Sequence, residues 1–517
     1  MNEMKFPCQI IIALLLLPFS LFGATSQTPN IVLLYADDLG YGDLGCYGAT
    51  KIPTPHMDRL AKQGLRFTDG HSASATCTPS RFALLTGEYA WRKKGTQILP
   101  GDAALIIPTN RSTLPSILQK AGYRTGLIGK WHLGLGGRGG PDWNGEIKPG
   151  PLEVGFDYCF MQPSTGDRVP CVYVENHRVV GLDSKDPIKV SYREKIGDEP
   201  TGKENPELLK QALRAGHEGT IIDGFSRIGY MTGGHAARWK DAEKADILTA
   251  KALDFIKQNA DRPFFLKFSA HDPHAPRVPH PRFVGKSGCG TRGDVIVEFD
   301  WCVGQIVELL DKLNLSSNTM VIVTSDNGPV VGVGYEDGAT RDLNGHEPAG
   351  PFRGYKMSAY EGGTRVPFIV TWPGRIKPGV SDALVSQVDF TASFAALTGQ
   401  KIPAGDARDS ENVLPALLGE SQMGRTKLVV HDGFRVLGLR DGKWKYIQPV
   451  KNARDGESTK GELYNLESDL AEKNNLIASN PEMAQTLSEE LQRVMRAGPA
   501  SDAKSSKENS EAASEPR

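Results

Sequence analysis

Ile31-Val32-Leu33-Leu34-Tyr35-Ala36-Asp37-Asp38 is a continuous apolar run of strand length that stops on two carboxylates. The run does not alternate between apolar and polar residues, so it suits a strand buried on both faces, as in a parallel sheet covered by helices. Met320-Val321-Ile322-Val323-Thr324 and Phe264-Phe265-Leu266-Lys267-Phe268 resemble it. Between the runs, Thr113 to Ala121, Lys240 to Asn259 and Asp294 to Leu313 carry apolar residues at three and four spacing, the period of a helix. Strand alternating with helix predicts an α/β fold: a large mixed, mostly parallel sheet sandwiched by helices. From about Arg425 the texture changes. Lys427 to His431, Arg435 to Arg440 and Lys443 to Ile447 read as short strands joined by turns such as Asp441-Gly442, and Pro481 to Arg496 as a helix. A smaller C-terminal α+β domain with an antiparallel sheet is therefore expected at 421–496, after a larger α/β unit at 27–420.

Composition removes several classes. The 517 residues hold 60 Lys+Arg against 61 Asp+Glu, a net charge of -1 that leaves no basic footprint for nucleic acid. Seven cysteines are too few for a disulfide-stapled scaffold. At the start, Lys5, an apolar stretch from Ile10 to Phe22 and small Ala24-Thr25-Ser26 read as a signal peptide over 1–26, cut before Gln27. The stretch is too short to span a bilayer stably, and no later segment is apolar enough, so an exported protein, secreted or periplasmic, without an integral membrane segment is expected. Residues 497–517, rich in Ser, Ala, Lys and Glu, read as a disordered tail.

In a parallel sheet flanked by helices the ligand crevice lies beyond the carboxyl ends of the strands. The first run delivers Asp37-Asp38 there, and the run ending at Thr324 delivers Ser325-Asp326-Asn327-Gly328. These hard oxygen donors suit Ca²⁺ or Mg²⁺ better than Zn²⁺, although each pair alone fits an Asx turn or a helix cap. Thr125 to Gly129 leads into Lys130-Trp131-His132, and the Phe264 run leads into Ser269-Ala270-His271-Asp272-Pro273-His274. A rim with carboxylate pairs, a lysine and histidines binds an oxyanion and moves protons. Cys77-Thr78-Pro79-Ser80-Arg81, running on to Leu84-Leu85-Thr86-Gly87, puts Cys77 at a helix N-terminus, with Thr78 as the cap, Pro79 at the first helical position and Arg81 one turn on for an oxyanion. Read physically, Cys77 is either a thiolate nucleophile or an inert buried thiol.

These residues resemble a known family. Cys77-Thr78-Pro79-Ser80-Arg81 resembles the type I sulfatase signature C-x-P-S-R, whose Cys becomes Cα-formylglycine. Gly129-Lys130-Trp131-His132-Leu133-Gly134 is similar to its G-K-W-H-x-G element, and Tyr360-Glu361-Gly362-Gly363-Thr364-Arg365-Val366-Pro367 to its Y-E-G-G-x-R-x-P element, with Lys356 upstream. Glu462-Leu463-Tyr464-Asn465-Leu466 resembles the family's E-L-Y-D-L segment, with Leu470 where Pro is frequent. The resemblance implies an alkaline phosphatase-like fold and a sulfuric ester hydrolase. Asp37, Asp38, Asp326 and Asn327 would bind one Ca²⁺ together with modified Cys77; Arg81 and Lys130 would support the formylglycine hydrate. His132 would abstract its proton, and His274, which supplies the family's H-x-P, would act with Lys356 on the sulfate and the leaving oxygen. The role of His271 stays open.

The resemblance also implies partners: a formylglycine-generating or anaerobic sulfatase-maturing enzyme, and a sulfate ester. Export and a long polar rim over 134–234 favour a sulfated carbohydrate, with aryl sulfates as model substrates. Trp143, Asp167, Arg168 and His177 are candidates for a sugar subsite. Two rivals are weighed: a phosphodiesterase or phosphonate monoester hydrolase on the same fold, disfavoured by Asn327 where those commonly have His, and a sulfoglycan-binding protein in which Cys77 stays unmodified. Setting aside Cys8 in the signal and Cys77 leaves five cysteines, so at least one is unpaired; Cys159 with Cys171, or Cys289 with Cys302, are candidate bridges.

Overall fold

A computed structural model describes residues 28–214, 216–450 and 459–497. The signal peptide expected at 1–26, with Cys8, and the tail expected from 497, apart from Ala497, lie outside them. No helix among the described residues is long and apolar enough to cross a membrane.

The Ile31–Ala36 run is the centre of the molecule. It extends by one residue to form β1, Asn30–Ala36, and every residue of it is buried. The other strands of its sheet, in chain order, are β2 (Leu65–Phe67), β3 (Arg124–Lys130), β4 (Tyr158–Gln162), β5 (Val174–Glu175), β6 (Arg178–Val179), β7 (Phe264–Ser269), β8 (Thr319–Ser325), β9 (Ile369–Thr371) and β10 (Gly379–Ser381). They lie in the order β10-β2-β9-β8-β1-β7-β3-β4-β5-β6. The central block β8-β1-β7-β3-β4 is parallel throughout, and antiparallel pairs flank it at β8–β9, β9–β2, β4–β5 and β5–β6. The expected mixed, mostly parallel sheet is present. Pro55–Gln63, Lys244–Gln258 and Gly290–Lys312 form one group of packed helices; Cys77–Thr86, Leu114–Lys120 and Phe390–Leu397 form another. Because the strands are apolar on both sides, both sheet faces need such cover.

The C-terminal unit holds a four-stranded antiparallel sheet, β11 (Lys427–His431), β12 (Leu437–Asp441), β13 (Trp444–Ile447) and β14 (Glu462–Asn465), with the helix Pro481–Arg496. Neither candidate disulfide forms; Cys159, Cys171, Cys289 and Cys302 are all free. Cys289 caps the helix in which Cys302 lies. At roughly 1.5 Å of rise per residue that separates them by about 20 Å, whereas a disulfide needs Cα atoms within about 7 Å. Cys159 and Cys171 instead donate weakly to the carbonyls of Asn176 and Arg168, at 3.5 and 3.6 Å.

Candidate active site

The parallel block gathers the chemistry at one edge. Asp37 and Asp38 leave β1, Asp326 and Asn327 leave β8, Lys130 ends β3, and His271 and His274 follow β7; all are buried. Oxygens of Asp37, Asp38 and Asp326 lie within 4.8 Å of one another. Three cations answer them. Lys130 Nζ donates to Asp37 Oδ2 at 2.5 Å, Lys356 Nζ to Asp38 Oδ1 at 2.6 Å, and Arg81 Nε and Nη2 grip Asp326 Oδ2 at 2.9 and 2.7 Å.

Asp37 Oδ1, Asp38 Oδ2 and Asn327 Oδ1 are nevertheless buried without a hydrogen-bond partner. Most buried polar atoms in folded proteins have one, so three unpartnered oxygens on neighbouring strand ends form a donor set that fits a hard divalent cation. The charges agree. Burial, then the Asp326 carboxylate, push the Asp37 carboxyl up to about 8 despite Lys130. Asp326 is also penalised by burial, but Arg81 and Lys130 outweigh it and hold its carboxyl below the ordinary range. A divalent ion would favour the charged form of Asp37 and leave the site with excess positive charge, suited to an anionic ester. The other buried acidic group with a histidine, Asp69, His71 and Glu361, does not fit a metal: Arg365, Arg440 and Lys445 already pair with its carboxylates.

Cys77 opens its helix and is 2% exposed, at the N-terminal end where backbone donors face an anion. The N-cap is Thr76, not Thr78: Pro79 sits two residues inside the helix, and Thr78 Oγ1 donates to the His132 carbonyl at 3.1 Å. Proline is tolerated through the first turn because those N–H groups have no partner within the helix, so its position does not fix the cap. Arg81 also differs from expectation. Its bidentate grip goes to Asp326, and Nη1 donates to the Lys130 carbonyl and Ser269 Oγ at 3.1 and 2.6 Å. It ties the ends of β3, β7 and β8 together, each guanidinium nitrogen already having an acceptor there.

His132 has a left-handed backbone, φ 56°, unusual for a residue with a side chain. Its Nε2 faces the Leu99 carbonyl at 3.0 Å; a carbonyl only accepts, so Nε2 carries the proton and Nδ1, buried and unpartnered, offers the lone pair. Burial, then Lys130 and Arg168, hold its pKa well below 6.5, keeping it neutral. His274 Nδ1 lies 2.6 Å from the Ala275 carbonyl and 3.1 Å from the Thr165 hydroxyl, which turns Nε2 toward Asp38 Oδ2 at 3.8 Å. Burial, then Lys356, lower its pKa too. His271 belongs to the same cluster, its ring nitrogen within 4.8 Å of both Asp37 and His274.

The four sugar-subsite candidates separate. Asp167 and Arg168 are at the site: Arg168 Nη1 donates to Asp167 Oδ1 at 2.9 Å, and the Arg168 charge is felt at His132. Trp143 is 5% exposed and packs in the main core, leaving no ring face for a sugar. His177 lies in the β5–β6 turn; β5 runs antiparallel to β4, and Asn176 pairs with Cys159 near the start of β4, so His177 is at the opposite end of the sheet from Gln162 and Lys130, held by Glu153 at 2.9 Å. Sequence reading missed three neighbours. Gln162 stands opposite Lys130 in register, fully buried, with both amide atoms unpartnered. Thr165 meets His274, and His217 Nε2 meets Asp167 Oδ2 at 3.0 Å.

Comparison with known proteins places this geometry. The Sulfatase family model matches residues 29–400. The chain belongs to the sulfatase family. A second model, N-sulphoglucosamine sulphohydrolase, C-terminal, matches residues 354–497 of the sulfatase. Among relatives, an N-acetylgalactosamine-6-O-sulfatase of Bacteroides thetaiotaomicron is 53% identical over 480 residues, covering 91% of this chain and 94% of its own. The human N-acetylgalactosamine-6-sulfatase is 34% identical over 445 residues, covering 83% and 74%. A solved structure from work on the metabolism of multiple glycosaminoglycans by Bacteroides thetaiotaomicron superposes with a TM-score of 0.89 at 52% identity, covering 91% of this sulfatase and all of that chain.

Proposed function

We propose that this sulfatase removes 6-O-sulfate from N-acetylgalactosamine units of sulfated glycans, as an exported enzyme that carries one Ca²⁺ and a formylglycine at position 77 made by a maturing enzyme. The observation that carries the chemistry is the set of three unpartnered oxygens beside Cys77, ringed by Lys130, Lys356, His132 and His274. The 6-O position and the sugar come from the two relatives' own activities. Asp37, Asp38, Asp326 and Asn327 would hold the ion, which would supply charge neutralisation at the sulfuryl oxygens, and a hydrated formylglycine at position 77 would supply two hydroxyls, one as nucleophile toward sulfur and one whose deprotonation releases sulfate. The remaining work falls to side chains of this chain. Lys130 and Lys356 hold the sulfuryl oxygens, each turning from its carboxylate toward the anion. His132 takes a proton at Nδ1, the atom that its Leu99 contact leaves free. His274 gives a proton from Nε2 to the departing sugar oxygen; the bound ester's negative charge favours the protonated ring it needs. Arg81 keeps Asp326 and three strand ends in place. Asp167, held by His217 and Arg168, supports sugar hydroxyls.

Mass spectrometry of the Cys77 peptide from native-host protein tests the modification: an aldehyde mass is expected, and an intact thiol would favour a sulfoglycan-binding protein without turnover. A panel of defined sulfated monosaccharides tests the substrate. Release of sulfate from N-acetylgalactosamine-6-sulfate should exceed that from the 4-sulfate and from the gluco isomer, and equal rates would overturn the assignment.

A further inference from the structure

Lys356 is flanked by Tyr355 and Met357, which are 41% and 46% exposed, so core packing of its neighbours does not fix it. Backbone hydrogen bonds do. Lys356 N donates to the Pro329 carbonyl at 2.9 Å and Met357 N to the Ala75 carbonyl at 2.8 Å; Gly328 N donates to Gly363 O and Gly362 N to Arg353 O, both at 2.8 Å. The turn over 353–364 is thereby stitched to the loop after Asn327 on one side and to the approach to Cys77 on the other. Gly328, Gly362 and Gly363 allow this closeness, since a Cβ on any of them would lie within 2.2 Å of a backbone oxygen.

The outer side of the turn is held by charges from the C-terminal unit. Glu361, 1% exposed, accepts from Lys445 Nζ at 2.9 Å and Arg365 Nη1 at 3.0 Å, while its own N–H donates to Glu472 Oε2 at 2.6 Å. Lys445 closes the triangle on Glu472 Oε1 at 2.8 Å, and both are fully buried. Arg353, at the start of the turn, donates to the Glu472 carbonyl at 2.8 Å and the Tyr464 hydroxyl at 3.1 Å and stacks over Tyr360. A buried charged triad is a poor source of stability, because desolvation offsets most of the pairing; what it supplies is a single permitted geometry. Here that geometry ends on the catalytic lysine.

We propose that Lys445 and Glu472 are positioning residues of the active site: through Glu361 they fix the 353–364 turn so that Lys356 reaches the sulfate pocket. This rests on the reading of Lys356 as a sulfate-holding residue, and the test separates the two. With matured full-length enzyme, an aryl sulfate as substrate and inorganic sulfate as inhibitor, Lys445→Met is expected to lower kcat roughly 10- to 100-fold, the scale of a small misplacement at a reacting centre, and to weaken sulfate inhibition. Lys356→Ala should do the same, and Lys445→Met should add nothing within the Lys356→Ala background, because the two act through one group. Arg353→Met, at an exposed residue, removes the outer arm of the grip and gives the same readouts if Lys445→Met does not fold. Multiplicative losses in the double variant, or a lower melting temperature with kcat and sulfate inhibition unchanged, would overturn the positioning role alone. An unaffected Lys356→Ala enzyme would overturn the reading of Lys356 and this proposal with it.

Discussion

His132 shows how far one residue's environment is set by others. It must be neutral to accept a proton, and burial, Lys130 and Arg168 each oppose its charged form. The acid limb of kcat/KM should therefore fall below the ordinary histidine value of 6.5. Removing one of the opposing cations raises the His132 pKa, so Arg168→Gln should move that limb toward higher pH, in addition to any loss in sugar binding. A pH profile on an aryl sulfate, which has no sugar to lose, checks this; a limb that stays put removes Arg168 from the electrostatics of the base. Cys77→Ser has a different signature: serine offers one hydroxyl where the proposed chemistry uses two, so the variant should take up a sulfuryl group and fail to release it. Intact-mass measurement after incubation with substrate reads this, and full turnover would refute the mechanism. At this scale the gathering of Asp37, Asp38, Lys130, His274, Asp326 and Asn327 was legible because each stands at or just beyond the end of an apolar run. Gln162 was not, although it ends the short apolar run Tyr158-Cys159-Phe160-Met161, because an amide has no charge or titration to single it out. Trp143 and His177 were misplaced for a related reason: residue type says what a side chain can bind, but only topology says which end of a sheet it occupies.

Elements were legible where burial is two-sided. β1, β7 and β8 each match their apolar runs to within a residue at either end, since burial on both faces makes the run nearly continuous, and the residues added at the ends are the polar Asn30, Ser269, Thr319 and Ser325. Boundaries set by backbone conformation were less so, as Thr76 replacing Thr78 at the cap illustrates. Gly129 is a sharper case. It stands near the end of β3 with φ 101°, and a Cβ there would lie 1.9 Å from the Ser269 carbonyl oxygen of β7. The glycine lets β3 turn at the rim while Lys130 stays in register with Gln162. Gly129→Ala should cost about 3 kcal/mol, from backbone strain and a clash that neither strand can relieve without moving the rim. Chemical denaturation checks the cost. Activity should fall further than stability alone explains, because the displaced strands carry Lys130 and Ser269.

For the molecule as a whole, a net charge of -1 hides strong local asymmetry: three carboxylates and three cations are buried together at one sheet edge. The two units share more than a boundary. Ala73, Ala83 and Tyr89 from around the Cys77 helix pack in one apolar cluster with Val429, Leu439, Leu463 and Leu487 of the C-terminal unit. Sequence texture indicated the short C-terminal strands, but not that their sheet backs the Cys77 helix, because contacts between distant segments leave no local period. The proposed metal would couple site and fold in the same way. An ion that binds the native oxygens, and not the unfolded chain, stabilises the protein by about 2.7 kcal/mol at a hundredfold excess over its Kd. A chelator should therefore lower the melting temperature, and added Ca²⁺ should restore it. Asp37→Asn provides the control. It removes one of the charges that draw the ion, but it also relieves a carboxyl whose pKa burial raises to about 8. The variant should thus lose its response to Ca²⁺ while keeping much of its stability in chelator. If instead the parent's melting temperature ignores both chelator and Ca²⁺, the three unpartnered oxygens do not hold an ion, and the cations alone must carry the sulfate.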